Sequence, residues 1–579
     1  MVVKRRMGVL LAGTVIGGSI LAAAPAFAQD AKTQQLQNEI NALQQQLQTL
    51  QDQVAQTNKQ AKAAEQAVQN LPSGLYNAAP PGSAPMVAKG PSWIPQGVHI
   101  SLAGSFIAAE GAWRQHAEQA DGATDTPFSQ MPFPNSPLYH QSELAFSGRQ
   151  SRIALKADGA IDPAQHLTAY YEMDFLGAAV TSNSRESNSY NPRIRQAWLE
   201  YDNENYHFHL SAGQQWSLVT QNRVGMLPLS ENTPLTIDAQ YVAGFDWARQ
   251  PSFRFVEDWN RTVWFGFSVE NPEINFPSNG IGVIAGPQQG QTSQGITGAS
   301  NTGGATVPPG LTINDINACQ AGGLMNSTTS CTTGTYPDLV EKIALDPGWG
   351  HYEVLGLQRF FTDRVYTAVE GSGSNKTTFG WGVGGSALAP VWPKVVDLQG
   401  SIMYGAGLGR YGSSQLPDVT IGSDGSLTPL TTLQFLVGAV IHPVQPLDVY
   451  VYYGQEQVNS NFWNIGATHG GYGNPAFVNT GCQLENQASG PAGFNDPIAG
   501  TSCAAASNIQ RVQEITVGFW YNLYKGDIGR FRVGMQYEYF QLTAFGGAAG
   551  PITATSTPNQ GINPNNQAVF VSLRYYPFN

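Results

Sequence analysis

Charged residues are scarce in this chain of 579 residues, since Asp, Glu, Lys and Arg together make up 12%, about half the roughly 25% of an ordinary soluble domain. This deficit argues against a cytosolic enzyme. Basic clusters are also missing, and the formal net charge is −12, which argues against a nucleic-acid partner because binding phosphates requires grouped Lys and Arg. Beyond residue 28 there is no apolar run of the length, about 18 residues, that a membrane-spanning helix requires, so a helical membrane protein is excluded too.

Glycine and aromatic residues are abundant instead, with 64 Gly, 26 Phe, 23 Tyr and 12 Trp. This composition is typical of a β-rich exported protein. Residues 1–28 have the features of a signal peptide, because basic residues at positions 4–6 precede an apolar stretch that ends in the small-x-small site Ala26-Phe27-Ala28. We predict cleavage after Ala28; an uncleaved membrane anchor is the alternative.

Residues 29–71 carry apolar residues at steps of four and three, beginning with Leu36, Ile40 and Leu43. Such spacing predicts an α-helical coiled coil, because it keeps one apolar seam facing a partner helix. A helix that lies on its own barrel, or a partly disordered one, is the alternative. Residues 72–96 contain six prolines and are predicted to form a stiff linker.

From residue 97 to residue 579 the apolar pattern changes to a period of two, the signal of β-strands. In 167–175 and again in 531–539, the odd positions are apolar or aromatic and most of the even positions are polar. One lipid-facing side and one water-facing side, in segments of about ten residues, indicate a transmembrane β-barrel. A soluble β-sandwich is the alternative.

The connections predict the number of strands, because outer-membrane barrels have short periplasmic turns and long outer loops. We expect eight outer loops and seven short turns, hence a 16-stranded antiparallel barrel with both termini on the periplasmic side. In this scheme 272–348 is one long outer loop, a short turn lies near Thr362-Asp363, and a short outer loop lies near 373–378.

The four cysteines fall into two long predicted outer loops. Cys319 and Cys331 share one loop, and Cys482 and Cys503 share another. Two local disulfides in an oxidising compartment are the natural pairing. Metal binding is the weaker interpretation, because there is no Cys-x-x-Cys motif and no nearby His.

Four stretches, together with the signal peptide, the Gln-rich helix and the Pro-rich linker, resemble one family. They are SRIALKADGAIDPAQHLTAYYEMDF, NPRIRQAWLEYDN, HLSAGQQWS and VSLRYYPF, and they resemble the DcaP-like trimeric porins of Gram-negative outer membranes. The resemblance implies a sixteen-stranded barrel in outer-membrane lipid, a homotrimer, a coiled-coil assembly in the periplasm and passage of small, often anionic, solutes.

Charged residues at even positions of the predicted strands would line the pore. These are Arg152, Lys156, Glu172, Asp174, Arg254, Glu270, Arg530, Arg532, Glu538 and Arg574. Opposing Arg and carboxylate walls would create a transverse field at a constriction, which filters ions by charge and pore diameter. The alternative is that these charges only pair across neighbouring strands and stiffen the wall.

Segment 217–248 follows the fifth predicted strand, and in sixteen-stranded general porins the loop at this place folds inward and narrows the channel. The resemblance therefore implies that Arg223 and Glu231 are constriction residues; a surface loop with no pore role is the alternative. Arg193 and Arg195 lie where neither strand face is cleanly apolar, so their direction stays open.

Motifs for enzymatic chemistry are missing: there is no Gly-x-Ser-x-Gly, no Gly-Lys of a phosphate loop and no His-Glu-x-x-His. We therefore predict no enzyme, no cofactor and no metal site. His207 and His209 would face one way along a strand, but two ligands lack a third, and lining of the lumen is the favoured interpretation.

These features together predict a passive diffusion channel for small hydrophilic solutes, some of them anionic, in the outer membrane of a Gram-negative bacterium. The alternative function is a structural anchor, whose barrel holds a periplasmic coiled coil that tethers the envelope.

Overall fold

The structure is a computed structural model that describes residues 97–578 except 103, 119–122, 129–130, 178–190, 239, 277–307, 315–333, 368, 370, 484–502, 504, 506–507 and 549–560. The predicted signal peptide (1–28), coiled coil (29–71) and linker (72–96) lie outside the described residues, as does the predicted Cys319–Cys331 disulfide.

Strands dominate the described residues. They are β1 (Val98–Ser101), β2 (Ile107–Arg114), β3 (Glu143–Ser147), β4 (Ile153–Asp162), β5 (Gln165–Asp174), β6 (Arg193–Asn203), β7 (Phe208–Trp216), β8 (Arg249–Trp259), β9 (Val263–Glu270), β10 (Leu311–Asn314), β11 (Asp338–Leu345), β12 (His351–Thr367), β13 (Ser374–Trp392), β14 (Val396–Ala406), β15 (Val419–Ile421), β16 (Leu427–Pro429), β17 (Thr431–Val444), β18 (Leu447–Val458), β19 (Asn461–Ile465), β20 (Thr468–Tyr472), β21 (Ile509–Gly526), β22 (Gly529–Ala544) and β23 (Asn565–Tyr576).

Short 3-10 helices cover Pro137–His140, Gly409–Tyr411 and Thr480–Gln483. Among the described residues, no helix is long and apolar enough to cross a lipid bilayer.

Nineteen of the strands form one antiparallel sheet, and this sheet closes on itself. The last strand, β23, pairs with β2 from Ile107↔Tyr575 to Arg114↔Ala568. Two wall strands are interrupted: β1 and β2 form one, β3 and β4 form the next, and β1 pairs with β4 while β2 pairs with β3. Strand β10 adds no wall strand, because it pairs only with the end of β12. The described chain therefore builds a closed wall of sixteen strands, and the predicted all-β antiparallel barrel is confirmed.

Side chains on the two faces of the wall differ as the alternation predicts. Outward-facing apolar residues are widely exposed, with Phe253 73%, Phe146 72% and Leu144 66% exposed, whereas inward-facing Arg195 and Trp520 are 2% and 0% exposed. A strand places successive side chains on opposite faces, so the barrel carries an apolar outer surface and a mixed, largely polar interior.

The turn predicted near Thr362-Asp363 is wrong, because β12 continues through both residues and pairs them with β13. The short turn before β12 is at 346–350, where Pro347 cannot donate to a ladder and Gly348 adopts a φ of +86°. Consequently the region predicted as one outer loop, 272–348, contains β11, and the connection predicted near 373–378 is at 368–373.

Apolar packing inside the barrel involves one segment between two wall strands. Leu235, Ile237 and Phe245, which lie between β7 and β8, form a buried cluster with Tyr450 and Trp520 of the wall. The lumen is therefore partly filled by the segment 217–248.

Candidate functional site: the barrel interior

Segment 217–248, called the interior loop below, leaves the wall after β7 and folds into the lumen. Its ends meet where the Ser217 amide donates to the Ala248 carbonyl at 2.8 Å. An irregular segment has no sheet partner for its backbone, so its buried N–H and C=O groups need other partners. Inward-facing polar side chains of the wall provide many of them.

Wall strands β18, β21, β22 and β23 hold the second half of the interior loop. Four loop amides donate to wall side chains: Leu235 to Tyr452 Oη (3.1 Å), Ile237 to Gln536 Oε1 (2.7 Å), Ala243 to Glu514 Oε2 (2.8 Å) and Gly244 to Glu456 Oε1 (2.9 Å). In the opposite sense, Trp520 Nε1 donates to the Leu235 carbonyl at 2.8 Å and Arg574 Nη2 to the Ile237 carbonyl at 2.6 Å. The second half of the interior loop is thereby fixed to these strands.

A cavity of about 600 Å³ lies between the interior loop and a part of the wall formed mainly by β4, β5 and β6. The wall contributes Arg152, Glu172 and Arg195, and the loop contributes Leu229 and Glu231. The cavity extends to the short-turn end of the barrel, where Arg261 follows β8. This cavity is therefore bounded on one side by the interior loop and on the other by the wall.

Arg195 lies at the centre of a charged network on the wall side of this cavity. Its guanidinium lies 2.6 Å from Glu172 and 3.0 Å from Asp174, Arg193 binds Asp174 at 2.7 Å, and Arg152 lies 3.6 Å from Glu172. Three guanidinium groups thus share two carboxylates. Because Arg keeps its charge in proteins, this network carries an excess of positive charge, while Asp158, Glu200 and Asp202 line the same cavity.

The inward direction of Arg195, which the sequence left open, results from a break in strand register. Between β5 and β6 the register shifts at Glu172/Met173, so that Glu172 pairs with Gln196 and Met173 pairs with Ile194. Arg195 is the extra residue, as in a β-bulge. Arg195 and Gln196 are consequently both buried on the inner side, which explains why neither face of this strand alternates cleanly.

Carboxyl groups of the interior loop lie on the opposite side of the cavity. Glu231 and Asp238 both line it, and Asp238 accepts hydrogen bonds from Thr126 at 3.1 Å and from Gln536 at 2.9 Å. Burial raises the pKa of Glu231 and the pKa of Asp238. Since burial favours the neutral form of a carboxyl group, the loop side offsets less of the wall's positive charge than its residue types suggest.

The ten residues predicted to line the pore all face inward, but the interior loop and its neighbours cover some of them. Four line the cavity: Arg152, Lys156, Glu172 and Arg574. The others are held by interior contacts: Asp174 by Arg193 and Arg195, Arg254 by the Met226 carbonyl, Glu270 by the Leu218 amide, Arg530 and Arg532 by the Tyr576 ring, and Glu538 by Thr126.

The two predicted constriction residues are placed differently. Glu231 lines the cavity, whereas Arg223 lies beside it in the loop and donates to the Leu229 carbonyl at 3.0 Å. Glu110, which lies 2.7 Å from Arg574, is not among the predicted residues, although the even positions of β2 follow the same alternation. Asp238 was also missed, and nothing in the pattern of an irregular loop identifies it.

Cys482 and Cys503 form a disulfide with a Cα–Cα distance of 4.6 Å, which confirms this predicted pair. Among the described residues, no cluster of three or more His, Cys, Asp or Glu could hold a metal ion. His207 and His209 do not share a strand face, because His207 lies in the turn with a φ of +55° while His209 is buried between Asp202 and Asp258 at 2.6 and 3.2 Å.

A closed barrel with a loop folded into its lumen is the fold of porin-type channels. The chain is similar in structure to the outer membrane channel DcaP of Acinetobacter baumannii, with a TM-score of 0.51 and 15% sequence identity over 83% of this chain and 99% of that chain. The resemblance to DcaP-like porins is thus confirmed at the level of the fold.

More distant similarity extends to OmpF of Salmonella typhi, solved with daunomycin (TM-score 0.39, 10% identity, 83% of this chain and 98% of that one), and to OprB of Pseudomonas putida (TM-score 0.38, 9% identity, 83% and 94%). The chain matches no protein-family model and no curated protein sequence.

Proposed function

We propose that this protein is an outer-membrane porin, a passive diffusion channel for small hydrophilic solutes. The observation that carries the proposal is the combination of an exposed apolar outer face with a lumen that the interior loop fills only in part, leaving a cavity of about 600 Å³. Such an outer face suits lipid and such a lumen suits water. No catalytic activity is part of this proposal.

Anions are the favoured ions in this proposal. Arg152, Arg195 and Arg574 lie on the wall of the cavity, and burial shifts Glu231 and Asp238 opposite them towards the neutral form. A low-dielectric barrel wall focuses such a field on the passage. Lys156, Glu172 and the carboxylates Asp158, Glu200 and Asp202 also line the cavity, and Glu231 is the proposed constriction residue of the loop.

The similarity to DcaP-like porins supports the remaining features of the proposal. The mature chain would assemble as a homotrimer in the outer membrane of a Gram-negative bacterium, with a signal peptide (1–28) removed. Residues 29–71 would form the periplasmic coiled coil and 72–96 the linker to the barrel.

Planar-bilayer recording of the purified protein tests the channel, and two neighbouring substitutions in β5 sharpen the test. Thr168 lines the cavity, while Leu167 faces outward and is 48% exposed. Thr168→Trp is expected to lower the single-channel conductance because it fills part of the passage, and Leu167→Trp is expected to leave it unchanged. Closures in three equal steps would support the trimer, whereas wild-type protein without conductance would refute the proposal.

A further inference from the structure

The first part of the interior loop is held by two carboxylates at the short-turn end of the barrel. The Asn222 amide donates to Glu353 Oε1 at 3.0 Å, and the Gly225 amide donates to Asp346 Oδ2 at 2.8 Å. His351 lies between the two acceptors, with Nδ1 2.7 Å from Asp346 Oδ1 and Nε2 3.1 Å from Glu353 Oε1. The imidazole therefore links both carboxylates that anchor the loop.

This geometry suits an imidazole that carries hydrogen on both ring nitrogens and faces two carboxylates. A protonated imidazole donates twice, whereas a neutral one donates once and turns a lone pair towards the other acceptor, here a carboxylate oxygen. The side chains of His351 and Glu353 are each 1% exposed and that of Asp346 is 12% exposed, so water screens little of the resulting repulsion. Loss of the proton would therefore weaken both anchors at once.

Among the surrounding charges, His351 is the group that neutralises the Asp346 carboxylate. Lys342 of β11 lies 3.2 Å from Glu353 and also donates to the Thr220 carbonyl at 2.8 Å. Arg254 of β8 and Glu270 of β9 act on Lys342 from the neighbouring strands. Within this set, Lys342 offsets Glu353, and protonated His351 is the group that offsets Asp346.

We propose that His351 is a positioning residue, whose protonation holds segment 220–225 of the interior loop and thereby sets the shape of the passage. The inference rests on the proposed function, because it assigns a pH response to that channel. The connection is direct: the anchored Gly225, Val224 beside it, and Leu227 and Glu231 further along the loop line the cavity. When the imidazolium loses its proton, the anchors loosen and the conductance changes.

The test is the single-channel conductance of the full-length protein from about pH 5 to about pH 10, a range that covers histidine titration. Wild type is expected to show one transition, and His351→Gln, which cannot carry the charge, is expected to lack it. His442→Gln is the matched control, because His442 bridges Asp397 and Asp448 at 3.0 and 2.7 Å, and within the described part of the interior loop no amide donates to either carboxylate. A transition retained in His351→Gln, or lost equally in His442→Gln, would overturn the proposal.

Amide hydrogen exchange of the wild-type protein keeps the proposal testable if His351→Gln does not fold. After correction for the intrinsic pH dependence of exchange, protection of the amides in 220–225 is expected to fall by roughly tenfold on the alkaline side of the transition, the factor implied by losing a hydrogen bond to a charged group. Unchanged protection would refute the role of His351. A pH-dependent loss of protection in protein without conductance would instead refute only the channel.

Discussion

Arg152→Gln removes one positive charge from the wall of the cavity and should weaken anion preference. The Arg152 side chain is 19% exposed and lines the cavity. A monovalent ion about 6 Å from the guanidinium interacts with it by about 0.7 kcal/mol in a water-like dielectric. Screening at about 0.1 M salt reduces this energy to about 0.4 kcal/mol. An energy of this size raises the local concentration of an anion roughly twofold and lowers that of a cation roughly twofold. The substitution should therefore lower the anion-to-cation permeability ratio about fourfold.

Reversal potentials across a salt gradient measure that ratio. The matched control is Lys525→Gln, since Lys525 is an exposed residue next to a short turn and lies outside the cavity lining. The effect should shrink at about 1 M salt, where the Debye length is about 3 Å. The electrostatic account would fail if Arg152→Gln left the low-salt ratio unchanged, or if Lys525→Gln lowered it as much.

Three further predictions concern the loops. Burial raises the pKa of Asp125 to about 7, above its value in the unfolded chain. The contribution of Asp125 to stability is therefore largest below about pH 4 and declines towards pH 7. Asp125→Asn should reduce this decline, measured as the change in the thermal unfolding temperature between about pH 4 and pH 7. Reducing the Cys482–Cys503 bridge, which spans 21 residues, should cost its outer loop about 3 kcal/mol and speed limited proteolysis there without lowering the heat resistance of the barrel. Gly244 has a φ of +78°, and a methyl group added there would clash with a backbone carbonyl of β17. Gly244→Ala should therefore lower the free energy of unfolding by about 1–3 kcal/mol and change the conductance. Gly466→Ala is the control, because Gly466 has a φ of +59° but open space around it; it should lower stability less and leave the conductance unchanged.

The wall of the barrel could be predicted from sequence because its two faces meet different surroundings. Outward residues such as Phe253 and Leu573 must suit an apolar phase, so the period of two persists in strand after strand. The position of a turn is less constrained. Thr362-Asp363 carries turn-forming residue types, yet Asp363 faces inward and pairs in register with Lys376. The stronger turn signal, Pro347-Gly348, falls within the segment that was predicted to be one long loop.

The interior could be predicted only in part, since it depends on contacts between distant residues. Alternation places Arg152 and Arg532 on the same face, but only the path of the interior loop decides that Arg152 reaches the cavity while Arg532 packs between Trp520 and Tyr576. Arg195 shows the second limit, because a single inserted residue reverses the parity on which the assignment depends.

The anchoring of the interior loop also bears on the order of events during folding. The Ile237 carbonyl of the loop accepts a hydrogen bond from the side chain of Arg574, 337 residues further along the chain, and Arg574 belongs to β23, the strand that closes the barrel against β2. Contacts of such long range carry a high entropic cost until the intervening chain is ordered. Docking of the interior loop should thus be a late folding step, coupled to closure of the barrel. A folding intermediate with an incomplete wall would therefore have an unobstructed lumen.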